Sequence, residues 1–113
     1  MSEFILLQKC QDMTAYGYTA LRHYPKHERH TLCAEIREAM LELVKLVIRC
    51  GKRHHKKTTL ADMDIHTEFL RTLLRLSVDL KYLPIKKYEI WSKHLHEIGC
   101  IIGSWMQNER RRH

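Results

Sequence analysis

Apolar residues recur every third or fourth position through most of the chain, with polar residues between them. The last quarter shows the pattern most clearly. Tyr88, Trp91, Leu95, Ile98, Ile102 and Trp105 are spaced 3, 4, 3, 4 and 3 apart, a seam that only a helix places on one face. This predicts a helix over residues 85–107. Gly99 and Gly103 lie within it, and each costs roughly 1 kcal/mol of helix stability relative to alanine. Such a cost is recovered where missing side chains let a neighbour approach, so both glycines, with Trp105, are read as positions for helix packing or for contact between copies of the chain.

The same period runs through the earlier segments. Residues 3–24 predict a first helix with Leu6, Cys10, Met13, Gly17, Ala20 and Tyr24 facing inward and Ser2 as its N-cap. Pro25 ends that helix and suits the first turn of the next. The second helix is expected over residues 26–50, with Ile36, Met40, Leu43, Val47 and Cys50 as its seam. Leu32, Val44 and Ile48 widen the seam, Glu38 and Glu42 face solvent, and Gly51 is placed for a left-handed C-cap. A third helix, residues 59–82, should open on a capping box of Thr59 and Asp62. Its seam reads Phe69, Leu73, Leu76 and Leu80, flanked by Met63, Leu70 and Leu74, and Pro84 follows its end. Four long helices with connections of a few residues predict an all-α fold: a single-domain, antiparallel, up-down-up-down four-helix bundle. Residues 108–113 form a basic tail expected to fray.

Composition supports long helices, since 44% of the 113 residues are hydrophobic and four Gly and two Pro are too few for the turns of a β-fold. Cys10, Cys33, Cys50 and Cys100 are widely spaced without a CxxC pair, and Cys10, Cys50 and Cys100 fall on apolar faces. They read as small buried thiols of a reducing compartment. The start of the chain has no basic segment before a long apolar run, and no stretch reaches the roughly 18 apolar residues of a membrane span. A cytoplasmic protein without a membrane partner is expected.

Charge changes the picture more. The formal net charge is +7, and residues 51–113 carry thirteen Lys or Arg against seven acids, so the excess belongs to the second half. Arg49, Lys52, Arg53, Lys56 and Lys57 cluster with His54 and His55 around the second connection. Some of these cations complement the carbonyl end of the second helix, and the rest are candidates for binding an anion. Arg71 and Arg75 lie one turn apart and should present paired guanidinium groups outward, with Asp79 within reach of Arg75. Lys86 and Lys87 add two cations at the start of the last helix. A basic surface of this kind favours polyanions.

Catalytic patterns are missing. No Glu or Asp has a His three residues on, which a di-iron bundle requires. Cys50, His54 and His55 lack a second ligand pair for zinc, and neither a glycine-rich phosphate loop nor a nucleophile elbow occurs. A non-enzymatic protein without metal or cofactor is expected.

Several segments carry a family resemblance. Residues 69–81, FLRTLLRLSVDLK, and 95–106, LHEIGCIIGSWM, with the Tyr24-Pro25-Lys26-His27-Glu28-Arg29 opening of the second helix, resemble the four-helix-bundle family that contains the accessory variability determinant, Avd, of diversity-generating retroelements. Relatives encoded in 23S rRNA intervening sequences share the pattern. Leu83-Pro84 departs from it where a serine-type cap is common. The resemblance implies a non-enzymatic partner of the retroelement's reverse transcriptase, assembled as a homo-oligomer, a basic pentamer, that binds RNA or DNA during error-prone copying of a template RNA. Arg71 and Arg75 match the arginine pair that in Avd helps to bind polymerase and nucleic acid. The basic loop is variable in that family, so a binding role there rests on charge alone. An intervening-sequence-type bundle, or a structural scaffold without specific nucleic-acid binding, is the alternative.

Overall fold

The computed structural model describes residues 3–112, without the side chain of Glu3. Four α-helices form it: α1 (Glu3–Leu21), α2 (Leu32–Lys52), α3 (Lys57–Asp79) and α4 (Ile85–Arg112), and no strand occurs among the described residues. Each helix packs on its neighbours in sequence and α1 closes the ring against α4. The result is the antiparallel up-down-up-down bundle, 46 × 23 × 20 Å. The expected seams of α1, α2 and α4 are largely the buried ones: Leu6, Cys10, Met13, Ile36, Met40, Leu43, Trp91, Leu95, Ile98 and Ile102 are all fully buried. Ile48 and Cys100 are exposed instead, whereas Cys33 is buried.

The seam of α3 differs from the expected one. Phe69, Leu76 and Leu80 are 43%, 42% and 44% exposed, Leu73 of the same seam is buried as expected, and the core side is built by Leu60, Met63, Thr67, Leu70, Leu73, Leu74 and Ser77, with Thr59 buried in the first turn. Thr67 and Ser77 are polar, which hides the stripe in the sequence. Each hydroxyl is satisfied within the helix: Thr67 donates to the Met63 carbonyl and Ser77 to the Leu73 carbonyl, both at 2.8 Å, so their burial leaves no unmet donor. Ile65, Phe69, Leu76 and Leu80 are left as an exposed apolar stripe on α3, with Leu41 and Ile48 exposed on α2.

Helix ends also differ, each for a local reason. The first helix stops at Leu21, three residues short of Tyr24, in i→i+3 turns whose bonds run from Arg22 to Thr19 and from His23 to Ala20. Pro25, with φ −58° and ψ 144°, opens a 3-10 turn over Lys26–Glu28 instead of α2 itself. The second helix begins at Leu32, where the Glu28 carboxylate accepts from the Leu32 amide at 3.3 Å and from the Thr31 hydroxyl. Across the bundle Tyr82 donates to the same carboxylate at 2.9 Å. Gly51 is not a left-handed cap, since no glycine has positive φ among the described residues. It stays helical, and the Lys56 ammonium caps the end of α2 by donating to the carbonyls of Cys50 and Arg53.

The third helix starts at Lys57, two residues early, and its N-cap Lys56 makes no side-chain cap bond. Thr59 is buried inside the first turn, so the expected box with Asp62 does not form. The helix ends at Asp79 in a Schellman-type turn: Lys81 takes φ 64°, its amide bonds Val78, and the Tyr82 amide bonds the Ser77 carbonyl at 2.9 Å. The last helix runs through the segment expected to fray, because Glu109 is buried and pairs with Arg112 at 3.3 Å. The proposed N-cap Ser2 and the final residue His113 lie outside the described residues.

Close approach occurs at a glycine that the period placed on the seam of α1. A Cβ on Gly17 would stand 2.7 Å from Trp91 Cζ2 and against the Met40 thioether. At Gly99 the neighbour is the Arg71 guanidinium, 2.8 Å from where a Cβ would be, and at Gly103 a Cβ would meet no other helix or side chain within 4 Å among the described residues. Among the described residues, therefore, nothing packs closely at Gly103.

Two outcomes follow for stability. Gly17→Ala should cost about 1–2 kcal/mol net, overpacking exceeding the gain in helix propensity, whereas Gly103→Ala should gain about 0.5–1 kcal/mol; urea unfolding of both variants reads the contrast, and equal shifts would contradict the packing. The hydrogen bonds from Thr31, Tyr82 and the Leu32 amide hold the Glu28 carboxyl below the ordinary glutamate range. Stabilisation from them is complete above that range and is lost as the pH falls through the lowered folded value. Glu28→Gln should lower the melting temperature near neutral pH and lose that difference in acid, and a gap that stays constant across a pH series would contradict this.

Candidate nucleic-acid interface

Because the helices alternate in direction, the α2–α3 connection lies at the same end as the last turn of α4. Lys57, Leu60 and Ala61 line one cavity there with Met106, Glu109 and Arg110. We call this the loop pole. The opposite end, the corner pole, joins the α1–α2 connection to the α3–α4 turn through the Tyr82–Glu28 bond and the Tyr24–Tyr82 ring contact at 5.7 Å.

The candidate residues divide into three groups along this axis. Arg49, Lys52, Arg53 and Lys57 are exposed at the loop pole, where Arg110 and Arg111 join them. None of these six pairs with a carboxylate among the described residues. Lys56 is the exception at this pole, held by backbone carbonyls, so part of the loop's charge does complement the end of α2. The rings of His54 and His55 meet edge to face at 4.8 Å.

At a helical rise of 1.5 Å per residue, Arg71 stands roughly 21 Å along α3 from Lys57. Its guanidinium crosses Gly99 and donates to the Leu95 carbonyl at 3.2 Å. It lines a groove of about 340 Å³ between α3 and α4 together with Asp64, Glu68, His96 and Cys100. Arg75, one turn on, meets Glu68 at 3.4 Å and Thr72 at 3.2 Å, not Asp79. The pair is therefore not presented outward together as expected: Arg71 is half-buried and turned across to α4, whereas Arg75 is exposed and paired with Glu68.

Lys86 and Lys87 form the third group, in the first turn of α4 at the corner pole, Lys86 exposed and Lys87 half-buried. No acidic residue accompanies them in that turn. Cations at the positive end of a helix dipole are unfavourable by a few tenths of a kcal/mol, so helix stability gives no reason for them. Trp105 is half-buried against the core, and Gly103 faces out near the end of α4.

The family profile described as bAvd-like matches residues 4–109, from the first turn of α1 to the last of α4. The chain belongs to the bAvd-like family. No curated protein matches it. In this bAvd-like chain no helix is long and apolar enough to cross a membrane, and no three His, Cys, Asp or Glu side chains could jointly hold a metal ion, among the described residues. No disulfide links the cysteines among the described residues. Burial pushes the Cys10 thiol up to about 12, so it stays protonated and unreactive at neutral pH.

Sequence reasoning located the loop cluster by charge density alone. It missed the cations of the α1–α2 corner, which are spread over residues 22–37 and meet only when α1 and α2 pack.

The two arginines of α3 should separate in stability measurements. Arg75 sits in an exposed pair worth less than about 1 kcal/mol, whereas removing the half-buried Arg71 guanidinium should cost about 1–2 kcal/mol. Urea unfolding of Arg71→Ala and Arg75→Ala reads both values, and indistinguishable small losses would contradict the bond across Gly99.

Proposed function

We propose that this protein is a non-enzymatic accessory factor of a diversity-generating retroelement. In this reading it binds the reverse transcriptase and the template RNA or its cDNA, acts in the cytoplasm and supports mutagenic retrohoming. The observation that carries the reading is the bAvd-like match over residues 4–109. Two features support it. Guanidinium and ammonium groups that pair with no carboxylate among the described residues gather at the loop pole, where they can hold phosphate backbones without reading bases. Exposed apolar residues on α2 and α3, Leu41, Ile48, Ile65, Phe69, Leu76 and Leu80, offer a face that a second copy can cover in a homo-oligomer, as in the pentamer that the resemblance implies. Arg71, held by the Leu95 carbonyl, and Arg75, paired with Glu68, suit a protein partner better than a bare phosphate chain, and we assign them to the polymerase contact.

Filter binding of template RNA at two salt concentrations tests this. Affinity should fall steeply with salt, and in Arg49→Ala/Lys52→Ala/Arg53→Ala/Lys57→Ala the slope of log K against log salt should shrink by roughly 0.7 for each phosphate contact removed. Arg71→Ala/Arg75→Ala should instead weaken capture of the reverse transcriptase. If the wild-type chain retains no RNA at either concentration, the scaffold reading replaces this one.

A further inference from the structure

At the corner pole, the last turn of α1, the 3-10 turn and the first turns of α2 enclose a pocket of about 400 Å³. Arg22, Lys26, Arg29 and Arg37 line it with Tyr18 and Tyr24, and no carboxylate does. None of the four cations pairs with a carboxylate among the described residues. This segregation has a cause in the fold. Glu28, the acidic residue of the connection, spends its oxygens on Thr31, Leu32 and Tyr82. Arg37 is held in place by a neutral group, the Arg29 carbonyl at 2.8 Å, so its direction is fixed while its charge remains. Burial pushes the Cys33 thiol up; the Arg37 and Arg29 guanidinium groups act the other way and the Glu28 carboxylate adds to the rise, so cations and the one nearby carboxylate are all felt at the pocket wall. The Tyr18 ring, 40% exposed, gives the pocket an aromatic side.

Four cations without a direct carboxylate partner among the described residues, outnumbering the one nearby carboxylate, Glu28, around a concave space next to an open ring match a phosphate with a base attached. We propose that this corner pocket binds the phosphate of a single-stranded nucleic acid, with the adjoining base laid on Tyr18. The inference rests on the nucleic-acid reading for its ligand class, and it adds a second contact point at the far end of a 46 Å rod from the loop. Either a terminal phosphate monoester or an internal phosphodiester would supply the anion.

The test uses the full chain and three probes: a 5′-phosphorylated trinucleotide, its 5′-hydroxyl counterpart and inorganic phosphate. A trinucleotide is too short to reach from one pole to the other. Amide NMR titration with it should shift Tyr18, Arg29 and Cys33, and Arg22→Ala/Lys26→Ala/Arg29→Ala, all exposed positions, should lose about tenfold or more in affinity. Tyr18→Ala should weaken the trinucleotide by roughly fivefold or more and leave the response to inorganic phosphate unchanged. A preference for the 5′-phosphorylated probe assigns the site to a terminal phosphate, and equal binding of the two trinucleotides assigns it to the backbone. Trinucleotide binding that is unchanged in the triple variant, or that shifts only loop-pole amides, overturns the pocket. Long RNA that still binds in that case leaves the nucleic-acid reading intact, whereas pocket shifts without long-RNA retention would overturn that reading and keep the pocket.

Discussion

Contact between the Trp91 indole and the backbone of α1 at Gly17 sets the spacing of the bundle, because a ring of that size reaches the centre only where the opposing helix has no side chain. Met40 of α2 closes the same layer, and the Tyr16 ring meets Trp91 edge-on at 6.2 Å. The indole N–H is buried with no protein acceptor among the described residues, and the buried ring area is what the indole contributes here. Above and below this layer the core is almost entirely aliphatic, so charged groups are confined to outward faces and to the ends of the rods.

That confinement shapes what the surface can do. The sides of the bundle carry mixed charge, as in the Lys9–Glu97 bridge at 3.2 Å between α1 and α4, in which Lys9 holds the Glu97 carboxyl below its ordinary range, or the Arg75–Glu68 pair on α3. The ends are where the chain must turn, and there the cations stand with few carboxylates. The loop pole arises because Lys56 alone is needed to cap α2. The corner pole arises because Glu28 is drawn off to Tyr82 and the start of α2. Both poles are thus by-products of how helix ends are satisfied, and both leave positive charge free to meet phosphates.

Much of this architecture was legible in the sequence, since the seams of α1, α2 and α4 are uninterrupted apolar series. The face of α3 was legible only in part: Met63, Leu70, Leu73 and Leu74 are buried as expected and Phe69, Leu76 and Leu80 are not, for a chemical reason. Its buried stripe includes Thr67 and Ser77, whose hydroxyls are silenced by bonds to their own helix, while the more apolar stripe through Phe69 and Leu76 is left outside. Boundaries failed where a distant partner replaced a local signal. Thr59 and Gly51 looked like caps, yet Lys56 and Glu28 do the capping, and Glu28 is tied to Tyr82, 54 residues away. Of the candidate site, the loop cluster was visible as charge density. The crossing of Arg71 over Gly99 and the meeting of Arg22 with Arg37 depend on which helices pack, which charge spacing does not encode.

The central claim is that nucleic acid is held at the ends of the bundle and not along its sides. Lysine-acetylation footprinting with single-stranded RNA measures it directly. The account predicts protection of Lys26 at the corner pole and of Lys52 and Lys57 at the loop pole, with Lys45 and Lys93 on the sides reacting as in the free protein. Protection of Lys45 or Lys93 while the pole lysines stay reactive would contradict it.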